Sequence, residues 1–110
     1  MTSSTNYYFA EGLGTMVFVL AILCVANREE DDTKIVSGSV PIYIGLALIV
    51  SIYLAQGLGS DGELNPAVTI ARCANGNVTA SDMCIRILAQ IVGALLAYGV
   101  YKLVPASKSV

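Results

Sequence analysis

Apolar residues fall into three long blocks, and the charged residues gather between them and at the ends. The first block, Tyr7 to Ala26, carries a single ionisable acid, Glu11; the second, Val40 to Gly57, carries no charge; the third, Met83 to Val104, is interrupted by Arg86, Gln90 and Lys102. A hydrocarbon core of about 30 Å takes about 20 residues of helix. The blocks at 7–26 and 83–104 meet that length and the one at 40–57 barely does, so the pattern predicts an all-α membrane protein with three spans. Three crossings place the two ends of the chain on opposite faces of the membrane.

Between the second and third blocks the pattern changes to Ser60-Asp61-Gly62-Glu63-Leu64-Asn65-Pro66-Ala67-Val68-Thr69. Asn is a strong helix N-cap and Pro is favoured at the first helical position, so Asn65-Pro66 predicts a helix start. The helix that follows, over 65–73, rises only about 12 Å at 1.5 Å per residue. It is too short to span and yet apolar at Ala67, Val68, Ile70 and Ala71. Broken helices at membrane depth are tolerated where they are buried in protein or line a polar cavity. The expected architecture is three transmembrane helices plus one re-entrant half-helix, in a single unit over 1–110.

Composition narrows the function classes. Of the 110 residues, 55% are hydrophobic and 13% charged, with a net charge of −2, which does not suit a soluble domain. No basic patch suggests nucleic acid. The acidic run Glu29-Glu30-Asp31-Asp32 lacks the glycine turn and terminal glutamate of a calcium loop and reads as a solvated connection. Cys24, Cys73 and Cys84 have no metal-like spacing, and the chain has no His, so neither a metal site nor a cofactor is expected. No nucleophile and base pair is evident, which argues against an enzyme. The first block has no basic residue ahead of it and holds Glu11, so it is expected to remain as a span rather than be cleaved as a signal peptide. Asn77-Val78-Thr79 matches a glycosylation acceptor by a short pattern only, and no modification is assigned to it.

The Asn-Pro-Ala-Val-Thr stretch resembles the aquaporin and glycerol-facilitator family. So do Ala10-Glu11 with Gly14-Thr15, Gly45-Leu46-Ala47-Leu48, and Ala89-Gln90 with Gly93-Ala94. The resemblance covers most of the chain and implies half of the aquaporin fold, because members usually carry two inverted halves. It implies a channel for water or small neutral solutes, with Asn65, Pro66 and Ala67 at the pore. Asn65 caps its own helix and keeps an amide free to donate into a lumen. By the same resemblance Glu11 and Gln90 support the re-entrant loop, with Thr69 beside them. Val68 stands where the usual second half has its filter arginine, and Glu63 where the first half commonly has histidine. Without that arginine the helix dipoles alone are left to exclude cations, and Glu63 is expected to bring an acid to the pore mouth that opposes them. Small neutral solutes such as glycerol are therefore expected alongside water, with some cation leak, and Tyr53 and Tyr43 are further filter candidates.

Small residues at Ala89, Gly93 and Ala97 share one helical face and predict close helix packing, as do Gly12 and Gly45 more loosely. Arg72 reads as a cation at a helix C-terminus, and Arg86 as a side chain snorkelling to the interface. The expected partners are the lipid bilayer, water or a small neutral solute, and a second copy of the chain in an antiparallel dimer or higher homo-oligomer. Arg72 and Arg86 fall on the side of the N-terminus, and Arg28, Lys34, Lys102 and Lys108 on the other, a bias small enough to permit insertion both ways. Two other readings stand beside the channel: a non-conducting interaction subunit of full-length channels, and a truncated fragment.

Overall fold

The computed structural model describes residues 4–28 and 38–104; the acidic run at 29–32 lies outside them. Four helices follow one another: α1 (Thr5–Arg28), α2 (Val40–Leu58), α3 (Pro66–Ala74) and α4 (Ala80–Leu103). Three of these, Thr5–Ala26, Val40–Leu58 and Ala80–Leu103, are long and apolar enough to cross a membrane. At 24 residues each, α1 and α4 rise about 36 Å, and α3 only about 13 Å.

Helix ends follow from local chemistry. Pro41 in the first turn of α2 has no N–H to leave unpaired. At the other end Gly59, with φ 116°, adopts the left-handed conformation that closes a helix at little steric cost. Its N–H donates to Gln56, and the N–H of Ser60 to Ala55. Thr79 caps α4, its hydroxyl accepting the N–H of Asp82 at 3.2 Å.

α1 packs against both α2 and α4, and α3 against α4. The start of α1, the end of α2 and the start of α4 share one end of the bundle, where Tyr7 donates to Asp61 and Tyr8 to Asp82. At the crossing of α1 and α4, a β-carbon on Gly93 would sit 2.2 Å from the carbonyl oxygen of Gly12, and one on Gly12 would meet the Ala89 carbonyl at 3.3 Å. Only glycine permits that approach. Gly45 was expected in the same role and is not in it: a β-carbon there meets nothing within 4 Å.

The interior is polar and the outside apolar. Buried positions on α4 are Asp82, Arg86, Gln90, Gly93 and Ala97, at steps of three and four residues that trace one face. Tyr7, Ala10, Glu11 and Thr15 are buried on α1. Phe9, Ile42, Leu46, Ile49, Val50, Leu88, Leu95 and Leu96 are exposed. In water this would be a core turned inside out. In a bilayer it is the favourable arrangement, since lipid solvates the apolar side chains while ionisable groups pair with one another.

Candidate pore loop and half-helix

Between α2 and α3 the chain runs without regular structure through residues 59–65, and Glu11 holds it. The Glu11 carboxylate is fully buried. One oxygen accepts the backbone N–H of Glu63 at 2.9 Å, and the other that of Leu64 at 2.8 Å and the side-chain amide of Gln90 at 3.0 Å. Three directed donors thus satisfy the buried carboxyl group. Leu64 has φ 55°, a left-handed backbone that costs a non-glycine residue about 1–3 kcal/mol and persists where its surroundings impose it. Here the two Glu11 bonds impose it, and they turn the chain immediately ahead of Asn65.

Asn65 then opens α3. Its extended backbone and its side-chain oxygen, which accepts the N–H of Ala67 at 2.8 Å, make it the N-cap, with Pro66 next. Asn65 is exposed, as are Ala67, Val68, Ile70 and Ala71. Thr69 points the other way and is fully buried. Its hydroxyl donates to Glu63 at 2.9 Å and accepts from Gln90 at 2.9 Å. Glu11, Glu63, Thr69 and Gln90 thus form one connected group behind the half-helix, and the apolar front of the half-helix is bare.

Glu63 differs from the expectation of an acid at the pore mouth. Its side chain is 2% exposed and lies 2.5 Å from an Arg72 nitrogen and 2.6 Å from an Arg86 nitrogen. Two guanidinium groups neutralise it, which removes the bare charge expected to oppose the helix dipole and admit cations. Arg86 also differs. It does not snorkel; it is 6% exposed, its Nε 3.1 Å from Asp82, its guanidinium 4.0 Å from the centre of the Tyr7 ring. A buried charge is tolerated when paired and hydrogen-bonded, and the position of Arg86 one helical turn from Gln90 turns it inward.

Arg72 is in the last turn of α3, as a C-terminal cation should be, and also bridges Glu63 and Asp61, the latter at 3.0 Å. Its guanidinium is the main reason the Asp61 carboxyl titrates below its ordinary value, with a Tyr7 hydrogen bond adding to the effect against partial burial. Asp61 in turn pushes the Arg72 guanidinium above its ordinary range.

Val68 lies on the exposed front of α3, 43% exposed. Tyr53 does not join the group. It is 71% exposed and, two residues from both Ser51 and Ala55, lies on the face of α2 opposite those buried positions. Tyr43 is likewise exposed. The sequence reading missed Asp61, Asp82, Tyr7 and Tyr8. An available signal was Asp82 and Arg86 four apart at the start of an apolar helix, a spacing that pairs charges on one face. Cys24, Cys73 and Cys84 are free thiols.

An Asn-Pro-Ala half-helix carried behind by a glutamate and a glutamine from two spans defines a membrane protein of the re-entrant-loop class. The model of the major intrinsic protein family matches residues 1–109, and the chain belongs to that family as an integral, multi-pass membrane protein. It is 36% identical over 95 residues to glycerol uptake facilitator protein-like 6 of Lactiplantibacillus plantarum, covering 86% of this chain and 42% of that one. Aquaporin TIP2-3 of Arabidopsis thaliana is 32% identical over 114 residues, covering 98% and 45%, and aquaglyceroporin-3 of Trypanosoma brucei brucei 34% over 102 residues, covering 87% and 33%. The chain therefore spans less than half the length of each of these relatives. No solved structure gives a significant match.

Proposed function

We propose that this chain forms half of a membrane channel for water and small neutral solutes, and that a second copy, inverted in the membrane, completes the pore. The observation that carries the reading is the half-helix. Nine residues long, it covers less than half of a core about 30 Å thick, and its N-terminal end presents the Asn65 amide on an exposed front. Donors at a helix N-terminus, backed by the positive end of the dipole, suit a solute oxygen and disfavour a cation. A continuous polar path needs a second half-helix from the opposite side, and an inverted copy supplies one with its own Asn65. The apolar fronts of α2 and α3 are suited to meet such a partner without exposing backbone to lipid. Water and glycerol are the solutes suggested by the names of the relatives.

Two measurements test this. Purified chain in proteoliposomes should speed osmotic shrinkage above that of empty liposomes. In a chain whose three cysteines are replaced by serine, a single Leu103→Cys should be labelled by impermeant reagent from both sides of sealed vesicles. Labelling from one side alone sinks the inverted copy, and shrinkage no faster than empty liposomes, with folded protein inserted, leaves the interaction-subunit reading in its place.

A further inference from the structure

Glu11 fixes the backbone of residues 63 and 64, but two adjacent hydrogen bonds do not set the direction in which the half-helix leaves them. Something displaced from that point must. The Glu63 side chain is so placed: one oxygen accepts from Thr69 in the first turns of α3, the other from Arg72 in its last turn and from Arg86 on α4. Arg86 is itself fixed, by Asp82 one turn earlier on its own helix and by the face of Tyr7 from α1, and Asp82 by the hydroxyl of Tyr8. A planar guanidinium with several directed donors transmits orientation as well as charge.

We propose that Arg86 is a positioning residue: acting through Glu63, it sets the tilt of the half-helix against α4 and hence the placement of the Asn65 amide. The proposal rests on the channel reading for its consequence in transport, but the clamp itself is a property of the loop and can be measured without transport. Burying an ion pair is a poor way to gain stability, because desolvation offsets much of the attraction; where such a pair specifies anything, it is geometry. Removing Arg86 should therefore destabilise by leaving buried Asp82 without its cation, whereas neutralising Asp82 along with it, with Glu63 still paired to Arg72, should restore stability and still leave the half-helix loosely aimed.

The test compares Arg86→Gln, Arg86→Lys and the double variant Asp82→Asn/Arg86→Gln, by amide hydrogen exchange and by water flux per inserted chain. Arg86→Gln should speed exchange across residues 66–74 by about a hundred-fold to a few thousand-fold, the range set by leaving the buried Asp82 charge bare, with little change in the middle of α2. Arg86→Lys, which keeps the charge but not the fork, should fall between. The double variant should regain resistance to unfolding while exchange in the half-helix stays fast and water flux stays low. If the double variant recovers protection and flux together with stability, the pair serves burial alone and the proposal is overturned. Exchange that rises equally along all four helices overturns it too. Should the unaltered chain pass no water, the channel reading fails and the exchange pattern alone decides the clamp.

Discussion

Glu11 accepts the backbone N–H of Leu64 at 2.8 Å, and that one bond joins a buried acid in the first span to the one non-glycine residue with a positive φ among the described residues, immediately before the half-helix. The link explains why an ionisable residue sits inside an apolar span. Replacing Glu11 by Ala leaves the N–H groups of Glu63 and Leu64 without their acceptor, at about 1–3 kcal/mol for each group left unsatisfied, while the Gln90 amide keeps only its bond to Thr69. The three spans keep their own backbone bonds, so helix content by circular dichroism should hold. Protection of amides in residues 63–70 should collapse and water flux should fall to that of empty liposomes. Glu11→Gln, which keeps one acceptor oxygen, should lose less.

Asn65→Ala removes both the cap on Ala67 and the exposed amide. The cap is worth about 1 kcal/mol, a loss the helix can survive with Thr69 and Arg72 still held. Osmotic shrinkage of proteoliposomes should drop steeply while the melting temperature in detergent drops only slightly. Asn65→Asp keeps the cap and loses the donors, so its flux should fall with its stability unchanged.

Gly93 and Gly45 make a matched pair. Gly93→Ala drives a β-carbon to 2.2 Å from the Gly12 carbonyl oxygen, so α1 and α4 must separate, at about 1–3 kcal/mol for an overpacked contact. Gly45→Ala enters open space on a helix and should stabilise by about 0.5–1 kcal/mol through backbone entropy. Thermal unfolding of the two variants in one detergent reads both signs.

The ion pair of Arg72 with Asp61 has a pH signature. Because the Asp61 carboxyl is held below its ordinary 3.8, the pair contributes its stability in full above that value and loses it as the pH falls further, through the folded-state value. Asp61→Asn should therefore lower the unfolding temperature at neutral pH, and the gap from the unaltered chain should close below 3.8. The Asp61 side chain is 58% exposed, so the gap should be small and should shrink in high salt.

Val68 on the bare front of α3 bears on selectivity. With no arginine beside Asn65, the pore we propose should pass glycerol as well as water, and Val68→Arg should slow glycerol swelling more than it slows water. The two guanidinium groups on Glu63 leave the helix dipoles unopposed, and these should exclude cations even without the arginine. A proton-sensitive dye in the vesicles should show no leak above background, and Glu63→Ala should not introduce one.

How much of this was legible in the sequence follows from the range of the forces involved. The spans, the break between them and the cap at Asn65 were readable because each depends on neighbours along the chain: block length against bilayer thickness, the side chain of Asn, the fixed φ of Pro. Glu11, Gln90 and Thr69 were reachable through family resemblance, since nothing local to any of them names its partner. The fates of Glu63 and Arg86 were not readable. Asp82 four residues earlier gives Arg86 a partner on its own helix, but such a pair can lie at the interface or turn inward; the choice depends on whether a buried acid on another segment stands opposite. That acid is 23 residues away in sequence, on a loop whose course is set by Glu11, 52 residues from Glu63. Sequence by itself determined which segments are helical and where the chain re-enters, because those are local balances of burial and backbone bonding. Tertiary structure alone decided which charges cancel, because electrostatic pairing in a medium without water is settled by distances between segments that only packing brings together.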